Sequence, residues 1–183
     1  MKVAITGHTS GIGLAIADAF RARGDEVVGM SRSNGYDLAK KRSKVVKVAS
    51  KCDVFVNNRH QYNDDTQLQL LFAMAEAWDG QDKTIVNLGS RAGEWYLHGQ
   101  SDAYSVYKHA LDAACQQLFN RPDQRPRVMN VRPGWVDTDS VRRVRAPKLS
   151  PQDVARVVMW MIDQPRHVLI SSVTLSHHVT GGR

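Results

Sequence analysis

Short apolar runs alternate along the chain with longer stretches whose apolar residues fall on one face of a helix. The run KVAITG is rich in strand-forming residues and ends in glycine. The next segment, GIGLAIADAFRARG, repeats apolar residues at helical spacing and is closed by Gly24. The run DEVVGMSR then has the pattern of a second short strand. These segments predict a β-α-β unit with parallel strands and a right-handed crossover.

The same alternation continues beyond this unit. Helical stretches include residues 65–78 and 103–120. A further helix should start with Ser150 as its N-cap, Pro151 at the first helical position and Asp153 completing a capping box. Apolar strands that alternate with helices predict an α/β fold whose parallel sheet is covered by helices on both faces. The remaining strands are predicted at 52–58, 83–90, 127–134 and 167–175.

Length and composition limit the class of protein. A chain of 183 residues can form one domain with a real core, so we expect a single domain over residues 1–183. No apolar run approaches the roughly 20 residues of a membrane helix, which predicts a soluble globular protein. The N-terminal MKVAIT lacks a signal-peptide pattern, and Cys52 and Cys115 have neither metal-binding nor disulfide spacing. A reducing, cytoplasmic setting is therefore expected.

The formal net charge is +7, carried partly by three basic segments, KKRSK at 40–44, RPDQRPR at 121–127 and RRVR at 142–145. Such clusters can attract nucleic acid or an anionic ligand, or they can be solvated loops. The segments are dispersed and lack interleaved aromatic residues, which favours solvated loops. A phosphate-rich cofactor would account for part of the charge, and we expect neither a nucleic-acid nor a membrane partner.

The segment TGHTSGIG places three glycines between the first strand and the first helix. Glycine permits backbone angles that other residues disfavour, and it lets the main chain approach a ligand closely. The amides at the N-terminus of the helix would then face a pyrophosphate. A tight turn without a ligand is the alternative, but the β-α-β context favours a dinucleotide. The candidate binding residues of the turn are Gly7, Ser10, Gly11, Ile12 and Gly13.

The segment AYSVYKHAL contains two tyrosines that differ in their helical neighbours. On a helix, Lys108 lies one turn after Tyr104 on the same face, whereas Tyr107 has only Leu111 at that offset. A nearby ammonium favours the phenolate form of a tyrosine. The same spacing is also typical of a partly buried ring beside a solvated amine. If one of these tyrosines is a catalytic acid, the spacing indicates Tyr104.

These motifs together resemble the short-chain dehydrogenase/reductase family, specifically a short NADP-type member. The three-residue gap between the first two glycines, the pair NN at 57–58, and the segments NLGS, YSVYK and RPGWVDT occur in that family's order over nearly the whole chain. The resemblance implies a Rossmann-type doubly wound parallel sheet in three layers. It also implies an NAD(P)-dependent oxidoreductase that interconverts a carbonyl and an alcohol by hydride transfer. Subunits would pair into a homodimer or homotetramer, with LQLLFAMAEAW as one pairing helix.

The resemblance assigns roles to individual residues. Tyr104 would be the general acid/base, and Lys108 would lower the pKa of the phenol from its ordinary value near 10 and bind the nicotinamide ribose. Ser90 would hydrogen-bond the reacting oxygen. Thr138, with the backbone near Val136, would hold the carboxamide. Beyond the glycine turn, the implied cofactor-binding residues are Ser31, Arg32, Ser33, Asp37, Leu38, Asn57, Tyr104, Lys108, Pro133, Gly134, Val136 and Thr138.

The end of the second strand indicates which cofactor is used. An acidic residue there would bind a ribose 2'-hydroxyl, but this chain has SRS at 31–33. The planar, charged fork of Arg32 suits a phosphate, and the segment resembles family members that use NADP. NADP(H) is therefore expected as cofactor rather than NAD, with a solvated arginine as the alternative. Asp37 and Leu38 match the place where the family holds the adenine.

The chain departs from the family pattern in its middle. NNRH replaces a small Ala-Gly pair with Arg59 and His60, and the family's relay asparagine has no clear equivalent in 65–78, where Gln69 is the candidate. Ser90 precedes Tyr104 by fourteen residues, one more than usual, which a loop insertion in 91–102 would absorb. These departures leave open a catalytically silent NADP-binding sensor or scaffold protein.

Other residues near the predicted pocket remain unassigned. His60 and His98 could line it or lie on the surface. Arg142, Arg143 and Arg145 could receive an anionic substrate or be solvated charges. The sequence predicts a small carbonyl or alcohol substrate without identifying it.

Overall fold

The computed structural model describes residues 1–60, 64–94 and 103–178. In these ranges the chain forms six strands: β1 (Lys2–Thr6), β2 (Glu26–Met30), β3 (Val54–Asn57), β4 (Thr84–Leu88), β5 (Arg127–Pro133) and β6 (Ser172–Leu175). They form one sheet in the order β2-β1-β3-β4-β5-β6, and every neighbouring pair is parallel. The register pairs Val3 with Val27 on one side of β1 and Val3 with Val54 on the other.

Helices connect the strands and cover both faces of the sheet. None of those in the described part of the chain is long and apolar enough to cross a membrane. Short 3₁₀ turns occur at Arg32–Asn34, Arg91–Gly93 and Asp139–Val141. The α-helices are α1 (Gly11–Ala22), α2 (Arg42–Ala49), α3 (Thr66–Ala77), α4 (Ala103–Phe119) and α5 (Pro151–Ile162).

The core consists of two apolar clusters separated by the sheet. Val3 and Ile5 of β1 pack with α1 and α5, whereas Ala4 between them packs with α2, α3 and α4. This alternation follows from the pleat, because successive side chains of a strand point to opposite faces. The predicted doubly wound, three-layer α/β fold is therefore confirmed.

The predicted start of α5 is also confirmed. Ser150 is the N-cap, and its Oγ accepts a hydrogen bond of 3.1 Å from the amide of Asp153. The Asp153 carboxylate in turn accepts a 2.7 Å hydrogen bond from the amide of Ser150. Pro151 occupies the first turn, where an amide proton would lack a partner in the helix.

Two segments differ from the sequence prediction. The basic segment at 40–44 was expected to be a loop, but its second half begins α2, because Val45 and Ala49 are fully buried against the sheet. The last strand begins at Ser172 instead of residue 167, since the ladder with β5 starts at the pair Asn130–Ser172. Residues 167–171, which were predicted to belong to this strand, are not part of the ladder between β5 and β6.

Candidate functional site

The predicted motifs meet at one edge of the sheet. All strands are parallel, so their carboxyl ends lie together, and this edge is the usual ligand site of open α/β sheets. The glycine turn follows β1, Arg32 follows β2, and Ser90 follows β4. The segment that contains Thr138 follows β5.

At its three glycine positions the turn does not accommodate a side chain without strain or close contacts. Gly7 and Gly11 have φ angles of +69° and +53°, a region that favours glycine. A methyl group at Gly13 would lie 2.1 Å from the carbonyl oxygen of Gly7 and 2.6 Å from Asn58 Nδ2. Ser10 precedes α1 in extended conformation, and Ile12 belongs to its first turn. The first amides of a helix lack intrahelical acceptors, so this cradle fits a phosphate group.

The second asparagine of the NN pair holds the turn in place. Asn58 Nδ2 donates to the carbonyl oxygens of Thr6 at 2.9 Å and Gly7 at 3.3 Å. Asn57, in contrast, is fully buried and donates from Nδ2 to Gln67 O at 2.8 Å and Asn87 Oδ1 at 2.9 Å. The side chain of Asn57 thus joins β3 to its neighbours inside the protein, while Asn58 faces the turn.

The end of β2 presents a positive charge to this edge. Arg32 is exposed and begins a short 3₁₀ turn. The turn is fixed by the Ser31 amide, which donates to Asn34 Oδ1 at 2.8 Å, and by the Ser31 and Ser33 hydroxyls, whose oxygens are 2.7 Å apart. The segment SRSN contains no carboxylate.

The two residues predicted to hold an adenine have different surroundings. Asp37 Oδ1 accepts hydrogen bonds from the amides of Ala39 at 3.2 Å and Lys40 at 3.3 Å. Leu38 is buried in the core cluster that contains α2 and α3. The carboxylate of Asp37 therefore stabilises a local turn, and the buried Leu38 side chain packs this segment against the core.

Helix α4 brings Tyr104 and Lys108 together as predicted. Lys108 Nζ lies 5.7 Å from the centroid of the Tyr104 ring. Only 3% of Lys108 is exposed to solvent, whereas Tyr104 and Tyr107 are half-buried. The alternative of a solvated amine beside a tyrosine is thus ruled out for Lys108.

Burial controls the protonation of Lys108. Removal from water lowers the pKa of its ammonium from 10.5 to about 7, an effect that the nearby carboxylate of Asp112 opposes in part. Nζ donates to Gln67 Oε1 at 2.8 Å and to the Leu88 carbonyl oxygen at 2.7 Å. The amine therefore titrates near neutral pH while its position is fixed by two acceptors.

Gln67 is a site residue that the sequence prediction missed. Its Nε2 donates to the carbonyl oxygens of Asn57 at 2.6 Å and Leu88 at 3.0 Å, which turns Oε1 toward Lys108. Gln69, the candidate from the sequence, instead lies on the surface, where it donates to Asp65 Oδ1 at 2.7 Å. Of these two glutamines, Gln67 and not Gln69 contacts Lys108. Gln67 shares helical spacing with Leu70, Leu71 and Met74, which are buried in the structure, but the sequence of α3 alone does not mark that face as the buried one.

His60 lies directly against the proposed acid. Its ring meets the Tyr104 ring edge to face, with centroids 4.9 Å apart. Burial lowers the pKa of His60 to about 4, and the positive charges of Lys108 and Arg59 act in the same direction. The imidazole is therefore neutral at physiological pH. His98 lies outside the described residues.

Ser90 is linked to α4 by the 3₁₀ turn that follows it. Its Oγ accepts a 3.1 Å hydrogen bond from the amide of Ala92. A methyl group at Gly93 would lie 2.9 Å from the carbonyl carbon of Lys108 and 3.0 Å from the amide nitrogen of His109. The turn therefore rests on the helix turn that carries Lys108, and glycine permits that close contact.

The segment after β5 reaches the glycine turn. Pro133 ends β5, and the amide of Gly134 donates to Leu175 O at 2.8 Å. Val136 is buried and forms a parallel bridge with Leu149. A methyl group at Gly11 would lie 3.0 Å from Thr138 Cγ2, so the two predicted segments are in contact.

Arg142, Arg143 and Arg145 are all exposed. Within residues 1–60, 64–94 and 103–178 there is no group of three or more His, Cys, Asp or Glu side chains that could hold a metal ion.

Comparison with protein families gives no matching family model. An uncharacterized oxidoreductase of Staphylococcus aureus is 30% identical over 96 residues, which are 50% of this chain and 41% of that protein. The chain thus matches less than half the length of such relatives. An uncharacterized oxidoreductase of Staphylococcus haemolyticus is 25% identical over 226 aligned positions, covering 93% of this chain and 94% of the relative.

Solved structures resemble the chain over nearly its full length. A short-chain dehydrogenase from Burkholderia cenocepacia in complex with NADP has a TM-score of 0.78 and 20% identity, with 94% of this chain and 86% of that chain covered. A 3-alpha-hydroxysteroid dehydrogenase from a Pseudomonas species, complexed with NADH, has a TM-score of 0.77 and 22% identity, with coverages of 96% and 94%. The fold of this chain is therefore that of the short-chain dehydrogenases, as the motifs indicated.

Proposed function

We propose that the chain is an NADP-dependent oxidoreductase of the short-chain dehydrogenase/reductase type, which interconverts a carbonyl and an alcohol by hydride transfer. The observation that carries the proposal is the buried Lys108, 5.7 Å from the Tyr104 ring centroid, at the sheet edge that also holds the glycine turn. Two comparisons support the proposal. The curated relatives are oxidoreductases by name. Solved structures with a similar fold contain NADP, NADPH or NADH.

The cofactor would lie across the carboxyl edge of the sheet. The turn from Gly7 to Gly13 would hold the pyrophosphate, and Arg32 would bind a 2'-phosphate. Thr138 and the backbone near Val136 would hold the carboxamide. NADP is proposed over NAD because the end of β2 presents a guanidinium and no carboxylate in SRSN.

The proposed chemistry divides between cofactor and protein. When bound, the nicotinamide supplies or accepts the hydride. Tyr104 gives a proton to the carbonyl oxygen, or takes it from the alcohol, at its phenolic oxygen. Ser90 Oγ already accepts a hydrogen bond from Ala92, so its own O–H proton can be donated to the reacting oxygen.

Lys108 would act on both Tyr104 and the cofactor. In its protonated form it stabilises the phenolate through charge. An ammonium has three donors, and within the described residues Gln67 and Leu88 take two of them. The third would serve a ribose hydroxyl. Gln67 is thereby a positioning residue, because it fixes the amine that acts on Tyr104.

The experiment is a titration of the protein with NADPH and NADH, followed by turnover measurements on a panel of carbonyls and alcohols. Tyr104→Phe should retain dinucleotide affinity and lower turnover by roughly two to four orders of magnitude. Tyr107→Phe is the matched control, since Tyr107 is on the same helix without a lysine one turn ahead, and it should have much less effect. Loss of turnover in Tyr107→Phe with an active Tyr104→Phe would contradict the assignment.

A second candidate function is a catalytically silent NADP-binding sensor or scaffold. The contact between His60 and Tyr104 favours it, because an imidazole stands against the ring that must reach the substrate. Dinucleotide binding of the expected affinity with no turnover on any member of the panel would support this second candidate over the first.

We also propose a homodimer or homotetramer in the cytoplasm. Phe72 on α3 and Val106 on α4 are 43% and 59% exposed, which offers an apolar surface for pairing. Leu70, Leu71 and Met74 are fully buried in the protein's own core, so the pairing surface of α3 is narrower than its sequence indicates. Both cysteines are free and buried, as a reducing compartment permits.

A further inference from the structure

Arg59 lies along the glycine turn from the side of β3. It follows Asn58 at the carboxyl end of that strand, which neighbours β1 in the sheet. A methyl group at Gly7 would stand 3.1 Å from Arg59 Cβ and 3.4 Å from Arg59 Cδ. The aliphatic part of the arginine therefore follows the backbone of the turn, and the guanidinium begins one bond beyond Cδ.

The backbone that carries this side chain is fixed to β1. The amides of Asn58 and Arg59 both donate to Thr6 Oγ1 at 3.0 Å. Thr6 Oγ1 in turn donates to the carbonyl oxygen of Val56 at 3.4 Å. Because its Cα is held by these bonds, Arg59 keeps its position relative to Gly7.

The guanidinium of Arg59 is exposed and forms no hydrogen bond or ion pair with residues 1–60, 64–94 or 103–178. Two other arginines at this edge are engaged within the fold. Arg132 pairs with Glu94 at 3.0 Å, and Arg91 donates to Ser176 Oγ at 2.6 Å. In the described part of the chain, Arg59 therefore contributes a charge beside an anion-binding turn without a structural partner for that charge.

We infer that Arg59 binds the pyrophosphate of the dinucleotide, an inference that rests on the proposed function. The sheet order places β1 between β2 and β3, so Arg32 and Arg59 lie on opposite sides of the glycine turn. The N-terminus of α1, which attracts phosphate, lies between them. Arg32 takes the 2'-phosphate at β2, and the phosphate charge that faces Arg59 is the pyrophosphate. A guanidinium can bind two phosphate oxygens with its parallel N–H groups.

The test compares Kd values for NADPH and NADH, measured by fluorescence titration. Both dinucleotides contain the pyrophosphate, so Arg59→Ala should raise both Kd values by the same factor, about 10- to 100-fold for a charged hydrogen bond. Arg59→Lys keeps the charge without the fork and should have an intermediate effect. The control is Arg166→Ala, which removes an exposed arginine paired with Asp82 at 2.8 Å near the amino end of β4. Arg166→Ala should leave the Kd values for NADPH and NADH unchanged.

The outcomes separate this inference from the proposed function. Unchanged Kd values in Arg59→Ala would overturn the inference while NADPH binding by the unmodified protein still stands. A rise confined to NADPH would also overturn it, because the contact would then be to the 2'-phosphate. If the unmodified protein binds neither dinucleotide, the proposed function itself fails.

Discussion

Replacement of Lys108 by methionine should make the protein more stable at acidic and neutral pH while it removes a residue of the proposed mechanism. The ammonium is almost completely buried, and its pKa falls from 10.5 to about 7. That gap of about 3.5 corresponds to about 5 kcal/mol of unfavourable free energy for the charged form in the folded protein. Methionine fills similar space and has no charge to bury.

The pH dependence has a defined sign. The unfolded chain holds the Lys108 proton up to about pH 10.5, whereas the folded protein releases it above about pH 7. Between these values the unfolded state binds more protons, so the free energy of unfolding rises with pH. From pH 6 to pH 8.5 this linkage amounts to roughly 2 kcal/mol. The amount by which the free energy of unfolding of Lys108→Met exceeds that of the unmodified protein should therefore decrease by roughly 2 kcal/mol between pH 6 and pH 8.5.

Urea unfolding followed by circular dichroism at both pH values measures this difference. Subtraction of the two proteins cancels the contributions of those titrating groups whose pKa does not depend on Lys108. Lys51→Met, at an exposed position, serves as control and should leave the pH dependence unchanged. In activity assays, Lys108→Met should weaken NADPH binding and shift the pH profile of any residual turnover upward. The same pH dependence of stability in Lys108→Met and the unmodified protein would refute the reasoning.

Three further predictions concern the cofactor site and the assembly. NADPH should bind more tightly than NADH, with a ratio of Kd values of about 10 to 100 for a charged contact, and Arg32→Ala should remove most of that difference. Equal Kd values for the two dinucleotides in the unmodified protein would contradict this. Gly13→Ala should abolish dinucleotide binding in titrations, because its methyl group would stand 2.1 Å from Gly7 O. The control is Gly24→Ala, whose methyl group would lie in open space on a backbone with φ +87°. This control should lower the free energy of unfolding in urea by about 1–2 kcal/mol and leave the Kd for the dinucleotide unchanged. The protein should sediment as a dimer or tetramer at micromolar concentration, and Phe72→Asp should favour the monomer; a monomeric unmodified protein would oppose the proposed assembly.

The sequence predicted best those features that depend on local chemistry. The glycine turn follows from backbone angles that Gly7 and Gly11 adopt more readily than other residues, and both have positive φ. The start of α5 follows from hydrogen bonds within the four residues from Ser150 to Asp153. The pairing of Tyr104 with Lys108 follows from the pitch of one helix. Each of these needs no knowledge of what lies elsewhere in the fold.

Helix α2 was missed because its local signals oppose a helix. It begins in the basic segment 40–44, and its apolar positions are mostly valines, which have low helix propensity. The helix is stabilised by packing, since Val45 and Ala49 are fully buried in the cluster that also contains Met30 and Phe55. Tertiary burial therefore outweighs propensity in this segment, and the sequence alone does not say which surface will cover it.

The identity of the residue beside Lys108 depends on the rotation of α3, which its own sequence leaves open. Apolar residues surround the first two turns of this helix, so no single face of LQLLF is marked as the buried one. The structure selects the face that carries Gln67, because Leu70 and Met74 fit the core below it. Gln67 then satisfies the carbonyl oxygens at the ends of β3 and β4, and its own oxygen is left for the amine. A glutamine at position 69 points away from that core, so the choice between the two is made by packing across the sheet and not by the spacing of polar residues along the chain.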